Sequence, residues 1–183
     1  MSAAADVFTR YGFKKASMQD IADAAMMSRA ALYLHFKNKD DLFRSLMTWH
    51  HGEALKAAEA AFSSGRPFIL RMETALTDFT MTIMAPVKAS THGLELFEAN
   101  MMLAGDINAA TSLRLHTLIE NAVKGAISQD EISLSATGLS AEALADLLYV
   151  CLDGIKKAPN GLEKLEQRLA ALMRLLDTST RPS

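Results

Sequence analysis

Apolar residues recur at helical spacing along most of the 183-residue chain, and no stretch alternates apolar and polar with the period of a strand. Residues 3–11 predict a short first helix that turns Ala4, Phe8 and Tyr11 inward and stops at Gly12. Met18, Ile21, Ala22 and Ala25 then fall at i, i+3, i+4 and i+7. Ser17 stands just before them and Asp20 three residues later, the spacing of a capping box. After Met26 and Met27 a second cap, Ser28, opens another short helix to Phe36, with Leu32 and Phe36 inward. Asn38, with Asp41 at its third helical position, starts a long helix from Lys39 to about Ser63, roughly 35 Å at 1.5 Å per residue. Leu42, Phe43, Leu46, Met47 and Trp49 surround its first half, the pattern of a helix buried on both sides.

The run Ser63-Ser-Gly-Arg-Pro67 breaks the chain. A helix from Phe68 to Met84 follows, striped by Ile69, Met72, Leu76, Phe79 and Ile83; Pro86 is expected to end it, leaving 85–91 as a loop. Leu94, Phe97, Glu98 and Met101 line up on the next helix, which ends near Gly105. Asp106 caps a longer one with Leu115, Leu118, Ile119, Ala122 and Ala126 aligned. Residues 128–138 are polar and irregular. Ser140 caps a helix striped by Leu144, Leu147, Leu148, Cys151, Leu152 and Ile155. Pro159-Asn-Gly161 breaks it, and Leu162, Leu165, Leu169, Leu172, Met173 and Leu176 stripe the last helix, with Thr178 to Ser183 expected to fray. The fold expected is all-α, about nine helices: a three-helix domain with a helix-turn-helix at 1–47 and a helical bundle at 48–183. A head of roughly 45 residues buries too little surface to be robust alone. The long helix from Lys39 is therefore expected to serve as its strut.

Half the residues are hydrophobic, enough for a real core, and one cysteine excludes a disulfide within the chain. Cys151 sits in a leucine-rich stripe and reads as a small packed hydrophobe. There is no signal peptide and no apolar run of about 18 residues. The expectation is a cytoplasmic protein with no membrane partner. The chain carries a net charge of −2. Seven basic and five acidic side chains leave residues 1–47 at +2, so the remainder carries −4. The positive end is the end with the helical corner, but +2 is modest. Affinity for a polyanion would then need two heads acting together.

Helix, short corner, helix is the layout that lays a second helix in the DNA major groove. Arg29 suits the edge of a guanine, because its fork meets two acceptors at once. The alanines keep the helix slim. Ser17, Tyr33, His35 and Lys39 are donors suited to phosphates, which set register without reading sequence. A surface hairpin with ordinary polar residues would show the same pattern. The runs Phe8-Thr-Arg-Tyr-Gly-Phe13, Ser17-Met-Gln-Asp-Ile-Ala-Asp-Ala-Ala25 and Ser28 to Leu42 resemble the N-terminal domain of the tetracycline-repressor (TetR) family. Leu32-Tyr-Leu-His-Phe-Lys-Asn-Lys39 is the most specific part. The resemblance covers about the first 47 residues; the rest matches the family in length and helical content only. It implies phosphate contacts for Ser17, Tyr33, His35 and Lys39, and base contacts for Gln19, Arg29 and Ala31. Members usually begin several residues earlier, with basic residues that approach the minor groove. This sequence begins almost inside the first helix.

The resemblance also implies a homodimer on a near-palindromic double-stranded operator, and a small-molecule effector held in the body. The last two helices form a hairpin in which Tyr149, Val150, Ala171 and Leu175 lie off the main stripes, surface that a two-helix dimer interface would use. Methionines cluster in the middle helices, as core filling or as a plastic pocket. Met72, Thr80, Met84, Glu98, Met101 and Thr111 are the candidate ligand contacts. His92 with Glu95 and His116 with Glu120 have chelate spacing, but the doubled Glu-x-x-His of a di-iron bundle is absent. No metal, cofactor or enzymatic motif is expected: there is no phosphate loop, nucleophile elbow or Cys-x-x-Cys. The function expected is a ligand-responsive repressor; the alternative is a helical binding protein that has lost operator reading.

Overall fold

A computed structural model describes residues 1–182. Among them are nine α-helices and no strand: α1 (Ser2–Lys15), α2 (Met18–Ala24), α3 (Arg29–His35), α4 (Lys39–Phe62), α5 (Phe68–Ala89), α6 (Gly93–Leu103), α7 (Gly105–Ser128), α8 (Ala141–Lys157) and α9 (Leu165–Thr180). None is long and apolar enough to cross a membrane. The chain forms two compact units, Met1–Glu53 with Thr82–Ala110, and Ala54–Met81 with Thr111 onward. The first of these units holds residues 1–47. It also takes the end of α5 and all of α6, because α6 packs on α1.

The first unit is built on α1, α2, α3 and the start of α4. Val7, Phe8, Ile21, Leu32, Leu42 and Phe43 are buried together, and Leu96 and Ala99 of α6 join them. Phe8, Phe13 and Phe43 meet at 5.0–5.7 Å between ring centroids, two of the three pairs edge to face. Tyr11, expected inward, is 45% exposed. Gly12 breaks the helical backbone at φ +77°, and Phe13, beyond the break, takes the place beside Phe8. Only glycine fits there: a Cβ would stand 2.6 Å from Glu95 Oε2. The same carboxylate accepts the Lys14 N–H at 2.5 Å, and Ser90 Oγ donates to the Thr9 carbonyl at 2.6 Å. His92 and Glu95, spaced like a chelate, thus stand at the end of α1, 3.7 Å apart.

Three further expectations fail in this unit. First, α5 runs through Pro86 to Ala89. A proline inside a helix costs about 3 kcal/mol, but the extra turn is held by a tight corner. Gly93 N–H donates to the Ser90 carbonyl at 3.1 Å, His92 N–H donates to Ser90 Oγ at 3.0 Å, and Gly93 sits against the Val87 carbonyl. Second, α6 buries Leu96 and Ala99, while Leu94, Phe97, Glu98 and Met101 are exposed. The helix is apolar on nearly every side, and α1 packs on the face that carries the small Ala99. Third, Trp49 is 41% exposed, so the start of α4 has an outer face after all. Arg44 on α4 donates to the Leu103 carbonyl and, as a fork, to Asp106 at 2.8 and 2.7 Å. That pairing lowers the Asp106 carboxyl to about 2.

The second unit packs α7, α8 and α9 with the start of α5. Met72, Leu76, Leu115, Ile119, Leu148, Leu152, Leu165 and Leu169 are fully buried in it, with Phe68 and Phe79 buried beside them. Glu131 caps α5 by accepting the Phe68 N–H at 3.0 Å and pairs with Arg71 at 2.6 Å. Cys151 is half-buried. The C-terminal end does not fray at Thr178. Thr180 is buried, its hydroxyl donates to the Leu176 carbonyl at 2.8 Å, and its carbonyl accepts the Ser133 N–H at 2.7 Å.

Candidate nucleic-acid interface

α2 and α3 are seven residues each, too short to persist unaided. Caps hold them. Ser17 Oγ accepts the Asp20 N–H at 3.1 Å, and Asp20 Oδ2 accepts the Ser17 N–H at 2.9 Å and its hydroxyl at 2.6 Å. These bonds keep the Asp20 carboxyl below its ordinary range. Ser28 Oγ accepts the Ala31 N–H at 3.0 Å. Between them the chain turns in a Schellman motif: Met27 N–H donates to the Ala22 carbonyl at 2.9 Å and Met26 N–H to that of Asp23 at 3.1 Å. Met26 stands at φ +54°, where glycine is usual, and is 94% exposed. The left-handed backbone costs a side-chain-bearing residue roughly 1–2 kcal/mol. The sequence holds no glycine at this corner, so its geometry had no marker.

Leu32 is the one buried side chain of α3. Arg29, Tyr33, Leu34 and His35 are exposed. Arg29 lies over the Tyr33 ring at 5.5 Å, which stiffens a long cation and holds its fork at the surface. Ala31 is half-buried, leaving only part of its methyl available. Gln19 is exposed on α2, its Nε2 donating to Asp23 Oδ1 at 2.7 Å. The Ser17 hydroxyl is occupied by the capping box. Lys39, expected as a phosphate donor, turns inward: its Nζ donates to the carbonyls of Phe13, Lys14 and Ala16 at 2.7, 3.1 and 3.0 Å and lies 4.7 Å from the Phe13 ring centroid. An ammonium has three N–H groups, and all three are taken. Lys39 therefore closes the end of α1 and adds only its charge to the surface. Sequence reasoning passed over Leu34, 85% exposed, and the exposed cation Lys37. Both lie off the Leu32–Phe36 stripe, which was the available sign. Asp6, Asp20 and Asp23 line a recess beside α1 and α2 with Arg10 the one cation among them, a net negative side. The surface suited to a polyanion is the α3 side, with Arg29, Tyr33, His35 and Lys37.

The first unit also holds a cavity of about 120 Å³ among α1, α4, α5 and α6, with Phe8, Phe43, His51, Met84 and Asn100 in its wall. The six expected ligand contacts do not converge on it. Met84 lines it; Glu98 and Met101 are exposed on α6 instead. Met72, Thr80 and Thr111 are buried in the second unit. The misreading of the α6 face accounts for the first pair, and core packing for the other three. His51 is 6% exposed, and its burial, with His50 nearby, lowers its imidazole to about 4, so it is neutral near pH 7. On α8 and α9, Val150 and Leu175 are 56% and 71% exposed, Ala171 is exposed, and Tyr149 is half-buried against His116. Leu147, counted among the core stripe, is 49% exposed beside them.

Residues 1–46 match the family model of bacterial regulatory proteins, tetR family. Over 99 residues the chain is 28% identical to the uncharacterized HTH-type transcriptional regulator YhgD of Bacillus subtilis (strain 168), which is 52% of each. It thus spans about half the length of that relative. Over 39 residues it is 46% identical to the probable acrEF/envCD operon repressor of Escherichia coli (strain K12), or 21% of this chain and 18% of the repressor. Among solved structures, a transcriptional regulator from Rhodococcus sp. Rha1 aligns over 100% of this chain and 96% of its own, with a TM-score of 0.68 at 20% identity. The transcriptional regulator FadR from Bacillus subtilis in complex with stearoyl-CoA aligns over 94% and 95%, with a TM-score of 0.64 at 18% identity. At such identities the likeness is one of fold.

Proposed function

We propose that this chain, whose N-terminal domain belongs to the tetR family of bacterial regulatory proteins, is a DNA-binding transcriptional repressor released from its operator by a small molecule. The observation that carries this is α3: a short helix capped by Ser28, with one buried residue and an outer face of Arg29, Tyr33, Leu34 and His35. In the major groove Arg29 would read a guanine, Ala31 and Gln19 would touch neighbouring base edges, and Leu34 would meet a thymine methyl. Tyr33, His35 and Lys37 would hold phosphates, and Ser17 would do so by giving up its hydroxyl bond to Asp20. The exposed apolar side chains of α8 and α9 support a homodimer, and a twofold dimer asks for two half-sites about one helical turn apart.

Release is supported by the position of the cavity in the first unit. It touches Ala5 and Thr9 of α1, and Phe8 and Phe43, which also form the core under α2 and α3. A ligand there would act on the head directly. A coupling of about 1–3 kcal/mol would change operator affinity roughly 5- to 150-fold. One structural neighbour, FadR, is a complex with stearoyl-CoA, which supports effector binding by this fold and not the identity of this chain's effector. The second reading, a binding protein that no longer reads DNA, draws on Lys39, which offers no free N–H to a phosphate. Fluorescence anisotropy on the duplex upstream of the protein's own gene, against a scrambled duplex, separates the two. A repressor prefers the upstream duplex; equal weak binding to both would favour the binding protein.

A further inference from the structure

The cavity of the first unit has a distinct chemistry. No Asp, Glu, Lys or Arg lines it, so a ligand bearing phosphate, carboxylate or ammonium would meet no permanent counter-charge. Its volume of about 120 Å³ is close to that of an engineered apolar cavity, roughly 150 Å³, that accepts benzene. Phe8 and Phe43 place aromatic surface in the wall, 5.3 Å apart and edge to face. The polar side chains of the wall are Thr9, His50, His51 and Asn100; His50 Nε2 faces the Ile83 carbonyl at 3.5 Å, and burial keeps His51 neutral near pH 7. Thr9 Oγ1 is already spent on the Ala5 carbonyl at 2.8 Å. Asn100 differs: its Nδ2 donates to Asn108 Oδ1 at 3.3 Å, and its Oδ1 is buried with no hydrogen-bond partner among the described residues. Turning both amides over would exchange the roles and leave the Asn100 amide N–H group free instead. In either state one amide group of a lining residue lacks a partner, and a buried polar group without one costs about 1–3 kcal/mol. A hydroxyl serves both states, because it donates and accepts.

We infer that the cavity binds a neutral molecule the size of a single ring that carries one hydroxyl, a phenol or a cyclic alcohol, with the hydroxyl on the Asn100 amide and the ring among Phe8, Phe43 and Met84. This deepens the effector reading above but is tested without DNA. Trp49, the one tryptophan in the chain, adjoins the lining residue His50 and reports on binding. The whole chain is titrated with p-cresol, toluene and 4-methylbenzoate, following Trp49 fluorescence and the thermal midpoint. p-Cresol saturates and raises the midpoint, toluene binds about tenfold more weakly, and 4-methylbenzoate does not bind. Asn100→Leu removes the advantage of p-cresol and keeps toluene binding, which shows that the variant is folded. Equal binding of p-cresol and toluene by the natural chain overturns the inference. So does an unchanged ratio in Asn100→Leu, binding of 4-methylbenzoate at the same strength, or binding of none of the three. If p-cresol binds as stated but leaves the DNA complex intact, the site stands and the effector reading falls.

Discussion

Acidification should weaken the fold through His51. Its imidazole lines the cavity wall, 6% exposed, and titrates at about 4 where a free histidine titrates near 6.5. The folded state therefore binds the proton less readily than the unfolded chain. The stability this group contributes is whole above 6.5 and is lost as pH falls from 6.5 toward 4. Two and a half units at 1.36 kcal/mol each give about 3 kcal/mol in all, most of it below pH 5.5. Between pH 7.5 and 5.5 the loss is roughly 1.3 kcal/mol. Urea unfolding at those two values measures it, with His51→Gln as the control: glutamine keeps hydrogen-bonding capacity and cannot titrate. The natural chain should lose about 1.3 kcal/mol more than the variant over this interval. Parallel losses in the two proteins would refute the argument.

Met26→Gly removes the strain at the corner and should raise stability by about 1 kcal/mol in urea unfolding. Lys39→Met strips three carbonyls of their donor and should cost roughly 2–3 kcal/mol in the same assay, while changing the salt slope of DNA binding little. The Asp106 carboxyl, held at about 2 by Arg44, adds stability that is present above its unfolded value near 3.8 and lost as pH falls through 2. Acid unfolding of Arg44→Met should lack that step. Leu175→Glu places a charge on the exposed face of α9, and sedimentation should show a monomer where the natural chain sediments as a dimer.

Most helix boundaries that rest on side-chain caps were legible in the sequence; the exception is Asp106, which lies inside α7, since that helix starts at Gly105, and pairs with Arg44. Ser17 with Asp20, Ser28, Asn38 with Asp41, and Ser140 all cap as their spacing predicts. Local chemistry sets those bonds, so local sequence reveals them. The failures are tertiary. Pro86 reads as a stop, yet the Ser90–Gly93 corner and α6 carry α5 past it. On α6 two apolar stripes compete, and the choice belongs to α1, eighty residues away in sequence. Lys39 looks like a phosphate donor because its long stem can reach either way; only the carbonyls at the end of α1 decide. The cavity draws on four separate helices, and of the six residues chosen from the sequence only Met84 reaches it. The outer face of α3 fared better, since a helix with one buried residue exposes nearly everything else.

The central claim is that α3 reads sequence, with Arg29 its principal reader. The direct measurement is the affinity of the natural chain and of Arg29→Ala for the upstream duplex and for a scrambled one, at a fixed salt concentration. The account predicts that the natural chain prefers the upstream duplex by about a thousandfold or more. Arg29→Ala should lower that preference by roughly 1–3 kcal/mol per guanine lost, with little change on scrambled DNA. Equal affinity of the natural chain for both duplexes, or an equal loss on both in the variant, would contradict it.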